Sequence, residues 1–346
     1  MGERRVAPVE HGGAPRGWLD FSANLNPCGV PAGVRAAVAS ARYDTYADLS
    51  QESATRRLAR ASGIRSDHAV LTAGATEGLR LAAALLEPGD RALVIGPTYG
   101  EYARLARSRG ALVEELRASA PSFRVPAREL LRRIATDAPR LVFLCDPNNP
   151  TGARVAPVAL TALVDVLPRR TVLVVDQSFL PFAGSAPSAA DLVKGGNVVL
   201  VRSLTKVLGA AGLRLGYLIA RPALLARLAD ARDPWAVGSH ACAAAAVAAW
   251  ELPREVRHAV RAWRSRLRAG LHDRGLEPLH SVANFVLVRV GPCADALVAA
   301  LAARRIAVRG CASFCLPEHV RIAVRPPEEQ DELFRALDRA RREVRW

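Results

Sequence analysis

A chain of 346 residues is long enough for one large domain and a smaller one, each with an apolar core. Its 50% hydrophobic and 23% charged residues are typical of a globular protein and exclude a disordered or fibrous one. The net charge of +15 raises the question of nucleic-acid binding. We do not expect it, because the arginines are spread along the chain and aromatic residues, at 5%, are too few for base stacking.

Neither a membrane span nor a secretory leader is predicted. No apolar run reaches the roughly 18 residues that cross a bilayer, and residues 1–13 contain no apolar signal-peptide core. The six cysteines are scattered and lack metal-ligand spacing, which predicts reduced thiols and no metal site. We therefore expect a cytoplasmic protein that binds neither a membrane nor nucleic acid.

From residue 68 the chain alternates short apolar runs with helical patterns. The predicted strands span residues 69–73, 91–96, 141–145, 171–176, 197–201 and 215–220. Strands that are buried on both faces read as continuous apolar runs. The pattern therefore predicts an α/β fold with a large domain built on a mainly parallel central sheet.

The pattern changes after about residue 250. An arginine-rich helix is predicted over 254–274, and shorter strands and helices with charged faces alternate after it. This predicts a smaller α+β domain that is completed by the first forty or so residues. We expect residues 41–250 to form the large domain, and residues 1–40 with 251–346 to form the small one.

Small residues and an aromatic side chain follow the first two predicted strands of the sheet. Gly74, Ala75 and Thr76 open a helix after the first strand, and Tyr99 follows the second. Ligands of open α/β sheets lie at the carboxyl ends of the strands. Small residues at a helix N-terminus let backbone N–H groups approach a phosphate, although a tight turn explains them equally well. Tyr99 is either a half-buried helix residue or an aromatic that stacks on a planar ring.

An amide and a carboxylate follow the next two strands. Asn149 lies in the turn Asp-Pro-Asn-Asn-Pro-Thr-Gly over 146–152, in which two prolines restrict the backbone. Asp176 ends the apolar run over 171–176. It is either the N-cap of the next segment or the partner of a protonated ring nitrogen.

Lys206 follows the strand over 197–201, between Ser203 and Arg214. It is one of only two lysines among the 48 lysines and arginines of the chain. Arginine can replace most surface lysines, but only a lysine can lose its proton and form an imine with an aldehyde. The sequence therefore favours a nucleophilic role for Lys206.

In combination these residues resemble the fold type I pyridoxal-phosphate enzymes of the class I and II aminotransferase superfamily. The segment Ser203-Leu204-Thr205-Lys206, with Arg214 eight residues later, is similar to the S-x-x-K…R segment of that family. Asn-Pro-Thr-Gly at 149–152 is similar to its N-P-T-G segment. The resemblance covers nearly the whole chain and implies pyridoxal 5′-phosphate as the cofactor.

The resemblance also implies a role for each position around the cofactor ring. Lys206 would hold the aldehyde and move the proton at the substrate Cα. Asp176 would pair with the ring nitrogen, Asn149 would hydrogen-bond the phenolic oxygen, and Tyr99 would stack on the ring. The cofactor phosphate would be held by backbone and side-chain groups of Gly74, Ala75, Thr76, Ser203 and Arg214.

Two further positions are implied to bind the substrate and a second subunit. Arg321 matches the arginine that forks onto the substrate α-carboxylate, although it is also readable as an exposed strand residue. Tyr46 resembles a tyrosine that reaches the cofactor phosphate of the neighbouring subunit. The chain is therefore expected to form a homodimer with shared active sites and to bind an amino-acid substrate.

The N-terminal segment narrows the branch of the family. Residues 11–27, with His11 and Asn24 as candidate substrate-pocket residues, resemble the opening of the L-threonine-O-3-phosphate decarboxylases. Decarboxylation of a phosphorylated amino acid is the first expectation. Histidinol-phosphate aminotransferases share many of these segments, so transamination of a substrate such as histidinol phosphate is the alternative.

Several positions depart from the family pattern and leave a third reaction class open. Phe179 stands where many aminotransferases have a tyrosine, Gln177 replaces a glutamate and Asp146 replaces an asparagine. The small residues from Gly209 onward would leave room near Lys206. A relative recruited to elimination, replacement or carbon–carbon bond formation on another amino acid fits these changes. A regulator that binds the cofactor without turnover is a further, non-enzymatic alternative.

Overall fold

The computed structural model describes residues 12–48, 51–184 and 186–346. His11, one of the predicted substrate-binding residues, lies outside the described residues. The strands, numbered in chain order, are β1 (Leu19–Asp20), β2 (Ala69–Thr72), β3 (Arg91–Gly96), β4 (Leu112–Arg117), β5 (Leu141–Cys145), β6 (Val172–Asp176), β7 (Val198–Ser203), β8 (Gly216–Ile219), β9 (Glu277–Pro278), β10 (Phe285–Arg289), β11 (Ile306–Ala307), β12 (Arg309–Gly310) and β13 (His319–Ala323).

The α-helices divide between the flanks of a central sheet and a C-terminal layer. They are α1 (Ala32–Ala39), α2 (Glu52–Ala61), α3 (Ala75–Ala83), α4 (Glu101–Ser108), α5 (Ala127–Asp137), α6 (Pro157–Asp165), α7 (Ala189–Lys194), α8 (Leu204–Val207), α9 (Pro222–Ala229), α10 (Ser239–Val247), α11 (Arg254–His272), α12 (Ala294–Ala302) and α13 (Pro327–Ala340).

The central sheet has seven strands in the order β2-β8-β7-β6-β5-β3-β4. All neighbouring pairs from β7 to β4 are parallel, whereas β8 runs antiparallel to both β2 and β7. Every residue of β5, β6 and β7 is buried, which is why these strands read as unbroken apolar runs. The predicted α/β fold with a mainly parallel sheet is confirmed.

The sequence patterns did not predict β4, the edge strand of this sheet. Its sequence, LVEELR, is mostly exposed or half-buried and pairs only with β3. An edge strand that faces solvent can carry charged residues, so it lacks the continuous apolar run of its buried neighbours.

A smaller antiparallel sheet, in the order β12-β13-β10-β9, forms the C-terminal part with α11, α12 and α13. The N-terminal segment reaches this part through β1, which pairs in parallel with β11. Helix α1 also contacts α10, which packs on α2 beside β2 of the central sheet. The division at residues 41–250 stays a prediction.

Membrane-spanning helices and metal-ligand clusters are both absent from the parts of the chain that the structure describes. None of the helices there combines the length and apolarity needed to cross a membrane. The same residues contain no cluster of three or more histidine, cysteine, aspartate or glutamate side chains arranged to hold a metal ion.

Candidate active site

A cavity of about 470 Å³ lies against the last residues of three adjacent parallel strands, Cys145 of β5, Asp176 of β6 and Ser203 of β7. The carboxyl edge of an open α/β sheet is where ligands bind, and the C-terminal part of the chain closes the other side. Most of the predicted site residues line this cavity: Asn24, Ala75, Thr76, Tyr99, Asn149, Asp176, Ser203, Lys206, Arg214 and Arg321.

Lys206 lies in the short helix α8, which begins directly after β7. Burial, followed by the positive charges of Arg321 and Arg214, lowers the pKa of its amine from 10.5 to about 8. The charge of Asp176 acts in the opposite direction. A lysine that loses its proton near pH 8 has a far larger neutral, nucleophilic fraction at physiological pH than an exposed one.

Asp176 presents a fully buried carboxylate at the end of β6. The backbone N–H of Ser178 donates to its Oδ1 and the hydroxyl of Tyr102 donates to its Oδ2, each at 2.8 Å. Burial raises the pKa of Asp176, and hydrogen bonding from the side chains of Ser178 and Tyr102 and from the backbone of Ser178, with the charge of Lys206, offsets only part of that rise. The carboxylate therefore has the hydrogen bonds that a buried anion needs, and it still lines the cavity.

The first turn of α3 and Arg214 form a corner of the cavity whose chemistry suits an anion. The N-cap of α3, Gly74, has a φ of +79°, and no side chain among the described residues caps the helix. A Cβ at this position would come within 2.9 Å of Nη2 of Arg214, so glycine permits both the turn and the close arginine. Backbone N–H groups of Ala75 and Thr76, a guanidinium and the nearby Ser203 fit a phosphate.

Arg321 extends from β13 into the cavity and is fully buried. It donates to the side-chain oxygen of Asn149 and, at 2.7 Å, to the carbonyl of Ser22. With its amide oxygen facing the guanidinium, Asn24 accepts from Nη1 at 3.1 Å and from Nε at 3.2 Å. All of these acceptors are neutral, so the positive charge is available to an anionic substrate. Burial lowers the pKa of Arg321 to about 10, which still leaves it protonated.

Comparison with known proteins identifies the family. A family model described as aminotransferase class I and II matches residues 16–337. The chain belongs to this family. The prediction of a fold type I pyridoxal-phosphate enzyme is confirmed at this level.

Three similar proteins show which members of the family the chain resembles. It is 36% identical over 328 residues to a histidinol-phosphate aminotransferase of Symbiobacterium thermophilum, a match that covers 93% of this chain and 90% of the relative. It superimposes on a histidinol-phosphate aminotransferase from Sinorhizobium meliloti, solved in complex with pyridoxal-5′-phosphate, with a TM-score of 0.85 and 27% identity, covering 93% and 90% of the two chains. An L-threonine-O-3-phosphate decarboxylase from Porphyromonas gingivalis gives a TM-score of 0.79 and 25% identity, covering 93% and 98%.

The groups in the cavity fit the cofactor of the class I and II aminotransferases. An amine with a lowered pKa, a buried carboxylate and an uncapped helix N-terminus beside an arginine match an aldehyde, a ring nitrogen and a phosphate. Two predicted residues lie apart from this set. Gly74 shapes the corner at the start of α3 from outside the lining, and the ring of Tyr46, 80% exposed, packs on Trp235 with centroids 4.7 Å apart.

Two of the departures from the family pattern point away from the cavity. Asp146 accepts from the backbone N–H of Val155 at 2.9 Å and lies 3.5 Å from Nε of Arg154. Gln177 accepts from Nε of Arg202 at 2.9 Å. Phe179, in contrast, lines the cavity and packs edge-on against Phe285.

The room expected beside Gly209 is taken by the N-terminal segment. A Cβ on Gly209, whose φ is +63°, would come 3.2 Å from the carbonyl oxygen of Asn26. Asn26 in turn donates from its backbone to the carbonyl of Lys206 at 3.0 Å and from its side chain to that of Val207 at 2.8 Å. The small residues therefore let the N-terminal segment hold the backbone of α8, which corrects the expectation of extra space.

Several lining residues were not singled out from the sequence. Tyr102, Arg309 and Phe314 all border the cavity. Arg309 lies opposite Arg321 in the β12–β13 register. In the sequence, Arg309 is marked only by its place after the apolar run Ile-Ala-Val. Arginines follow apolar residues at many other places in this chain, so the pattern does not single it out.

Proposed function

We propose that this protein is a pyridoxal-phosphate-dependent aminotransferase that acts on a phosphorylated amine of the histidinol-phosphate type. The observation that carries the proposal is the amine of Lys206, lowered in pKa and set in one cavity with Asp176, Arg214 and Arg321. The likeness to histidinol-phosphate aminotransferases supports transamination over the decarboxylation first expected.

The cofactor would be held by the residues already described. Backbone N–H groups of Ala75 and Thr76, with Ser203 and Arg214, would bind its phosphate, and Tyr99 would cover its ring. When bound, pyridoxal phosphate supplies an electron sink for the bonds at the substrate Cα. Asp176 would hold a proton on the ring nitrogen.

Lys206 and Asn149 would act on the reacting side of the ring. The amine of Lys206 would take the proton from the substrate Cα and give it up again later in the reaction. It can do both because its pKa lies near the working pH. Asn149 accepts from Arg321 through its side-chain oxygen, which leaves its NH₂ group to donate to the phenolic oxygen.

The substrate half of the cavity combines positive charge with aromatic walls. Arg309 and Arg321 lie on neighbouring strands in register, and both line the cavity. Guanidinium pairs bind phosphate through forked, charge-assisted hydrogen bonds. Phe179 and Phe314 border the same cavity, which suits a substrate with a flat ring as well as a phosphate.

A second candidate is decarboxylation of L-threonine O-phosphate. It is favoured by one specific observation, Phe179 in the cavity where many aminotransferases have a tyrosine. The likeness to the Porphyromonas gingivalis decarboxylase supports it as well. Both substrates are phosphorylated, so the charge of the cavity does not separate them.

Mass spectrometry of the products tests the proposal. The holoenzyme is incubated with histidinol phosphate and 2-oxoglutarate as amino acceptor, and separately with L-threonine O-phosphate. We expect glutamate and a product in which a carbonyl replaces the amine in the first reaction, and unchanged substrate in the second. Loss of carbon dioxide from threonine phosphate, with histidinol phosphate untouched, would establish the second candidate instead.

We also infer that two copies of the chain share their active sites. Tyr43 and Tyr46 are 84% and 80% exposed and pack on His240 and Trp235 respectively, which gives an aromatic patch on the surface. A second copy that covers this patch would bury it and would receive Tyr46 at its own cavity. Exposed aromatic clusters of this kind are typical of protein interfaces.

Subunit mixing tests the shared sites. Tyr46→Ala and Lys206→Ala are each expected to be impaired alone. Mixed dimers place both defects in one of the two sites and leave the other intact, so random mixing should restore about a quarter of wild-type activity. A mixture that stays as inactive as its parents, although sedimentation shows dimers that exchange subunits, would contradict shared sites.

A further inference from the structure

Tyr102 borders the cavity and contacts the carboxylate of Asp176, another of the lining residues. Its side chain is 1% exposed, and its hydroxyl donates to Oδ2 of Asp176 at 2.8 Å. The ring stacks on Phe143 with centroids 5.6 Å apart and 9° between the planes. Tyr99 meets it edge-on at 5.7 Å. The phenol is therefore fixed by packing in an orientation that serves Asp176.

The two oxygens of Asp176 are served by different kinds of donor. Oδ1 accepts from the backbone N–H of Ser178, which any residue except proline would supply, and the side chain of Ser178 also favours the charged carboxylate. Oδ2 accepts from the phenol of Tyr102, which depends on the identity of a side chain in another element, α4. A buried carboxylate without such donors takes up a proton, because charge in a low-dielectric site is costly.

The other titratable groups around Asp176 do not replace the phenol. Cys145 of β5 lies opposite Asp176 in the sheet register, and burial raises the pKa of its thiol well above 9.0, so it stays neutral. The positive charge of Lys206, in α8, lowers the pKa of Asp176. Burial, Arg321 and Arg214 lower the pKa of Lys206, so a smaller fraction of Lys206 carries that charge. Burial raises the pKa of Tyr102 well above 10.0, so Tyr102 remains a donor over the working range of pH.

We propose that Tyr102 is a positioning residue of the cofactor site. Its phenol holds the carboxylate of Asp176 ionised and oriented, so that this carboxylate can pair with the ring nitrogen of pyridoxal phosphate. The proposal rests on the proposed function in one respect, that this cavity takes the cofactor. Tyr102 acts through Asp176 and takes no proton from the substrate.

The test replaces one buried hydroxyl and leaves the ring in place. Tyr102→Phe keeps the stacking on Phe143, so the chain should fold. The matched control is Tyr217→Phe, since Tyr217 is 0% exposed and its hydroxyl hydrogen-bonds Ser62 at 3.0 Å and Arg202 at 3.1 Å, away from the cavity lining. An effect that comes only from losing a buried, hydrogen-bonded hydroxyl group should therefore appear in both variants.

Two measurements report on the proposed role. In cofactor-free protein with carbon-13-labelled aspartate, NMR titration should show a higher pKa for Asp176 in Tyr102→Phe than in wild type or Tyr217→Phe. Affinity for pyridoxal phosphate, measured by equilibrium dialysis, should fall roughly 10- to 100-fold in Tyr102→Phe, the range for a hydrogen bond to a charged group. The acid limb of cofactor binding should move to higher pH, because Asp176 is protonated earlier.

The outcomes separate this role from the proposed function. If wild type binds the cofactor and Tyr102→Phe matches Tyr217→Phe in both measurements, the role of Tyr102 is overturned and the function stands. If wild type does not bind pyridoxal phosphate, the proposed function and the role fail together. A raised Asp176 pKa with weakened binding in Tyr102→Phe alone supports the role.

Discussion

Replacing Lys206 with alanine is expected to abolish turnover, with a loss of roughly 10⁴-fold or more. The amine is the group in the cavity that can both attach an aldehyde and move a proton at the substrate Cα. Lowering its pKa from 10.5 to about 8 increases its neutral fraction at pH 7 roughly 300-fold over an ordinary lysine. Lys206→Arg should be as inactive as Lys206→Ala, because arginine keeps the charge but does not lose its proton.

The chain offers an unusually direct control for this prediction. Lys194 is the other lysine; it is exposed at the end of α7, and Lys194→Ala should retain full activity. Borohydride reduction of the holoenzyme followed by peptide mass spectrometry should place the cofactor on the peptide that contains Lys206. Cofactor found on the Lys194 peptide, or turnover by Lys206→Ala within tenfold of wild type, would refute the assignment.

Replacing Asp176 with asparagine is expected to lower turnover by roughly 10²- to 10³-fold, the effect of removing one partner of a buried charge pair. The amide is almost the same size, and its oxygen can still accept from the backbone N–H of Ser178, while its NH₂ group can donate to the hydroxyl of Tyr102. It has no charge, however, to hold a proton on the ring nitrogen. Affinity for the cofactor should fall together with turnover, because the negative charge of Asp176 contributes to both.

Asp146→Asn is the matched control for this substitution. Asp146 is also a buried aspartate just beyond a strand of the central sheet, but its carboxylate faces Val155 and Arg154. We expect this variant to lose some stability, measured by urea unfolding, and to keep its turnover. Equal losses of turnover in the two variants would contradict the prediction. They would show that losing either buried carboxylate disturbs the fold at this edge of the sheet, and that Asp176 has no separate role in the chemistry.

The position of the cavity and several of the residues that line it could be predicted from the sequence, because parallel strands buried on both faces are unbroken apolar runs and their carboxyl ends face one cavity. A residue that follows such a run, such as Asp176 or Lys206, is therefore placed at the site by local pattern alone. The scarcity of lysine then made Lys206 distinct from the many arginines. The apolar runs, the residues that follow them and the scarcity of lysine can each be recognised within a single segment of the chain.

Contacts between segments far apart in the chain were decided only by the tertiary structure. The hydrogen bond from Tyr102 to Asp176 joins α4 to β6, and the register that sets Arg309 beside Arg321 joins β12 to β13. The packing of residues 26–29 on Gly209 likewise depends on how the N-terminal segment returns to the sheet. No periodicity or spacing encodes such pairs, because the distance between two side chains from different elements is set by the packing of the whole core.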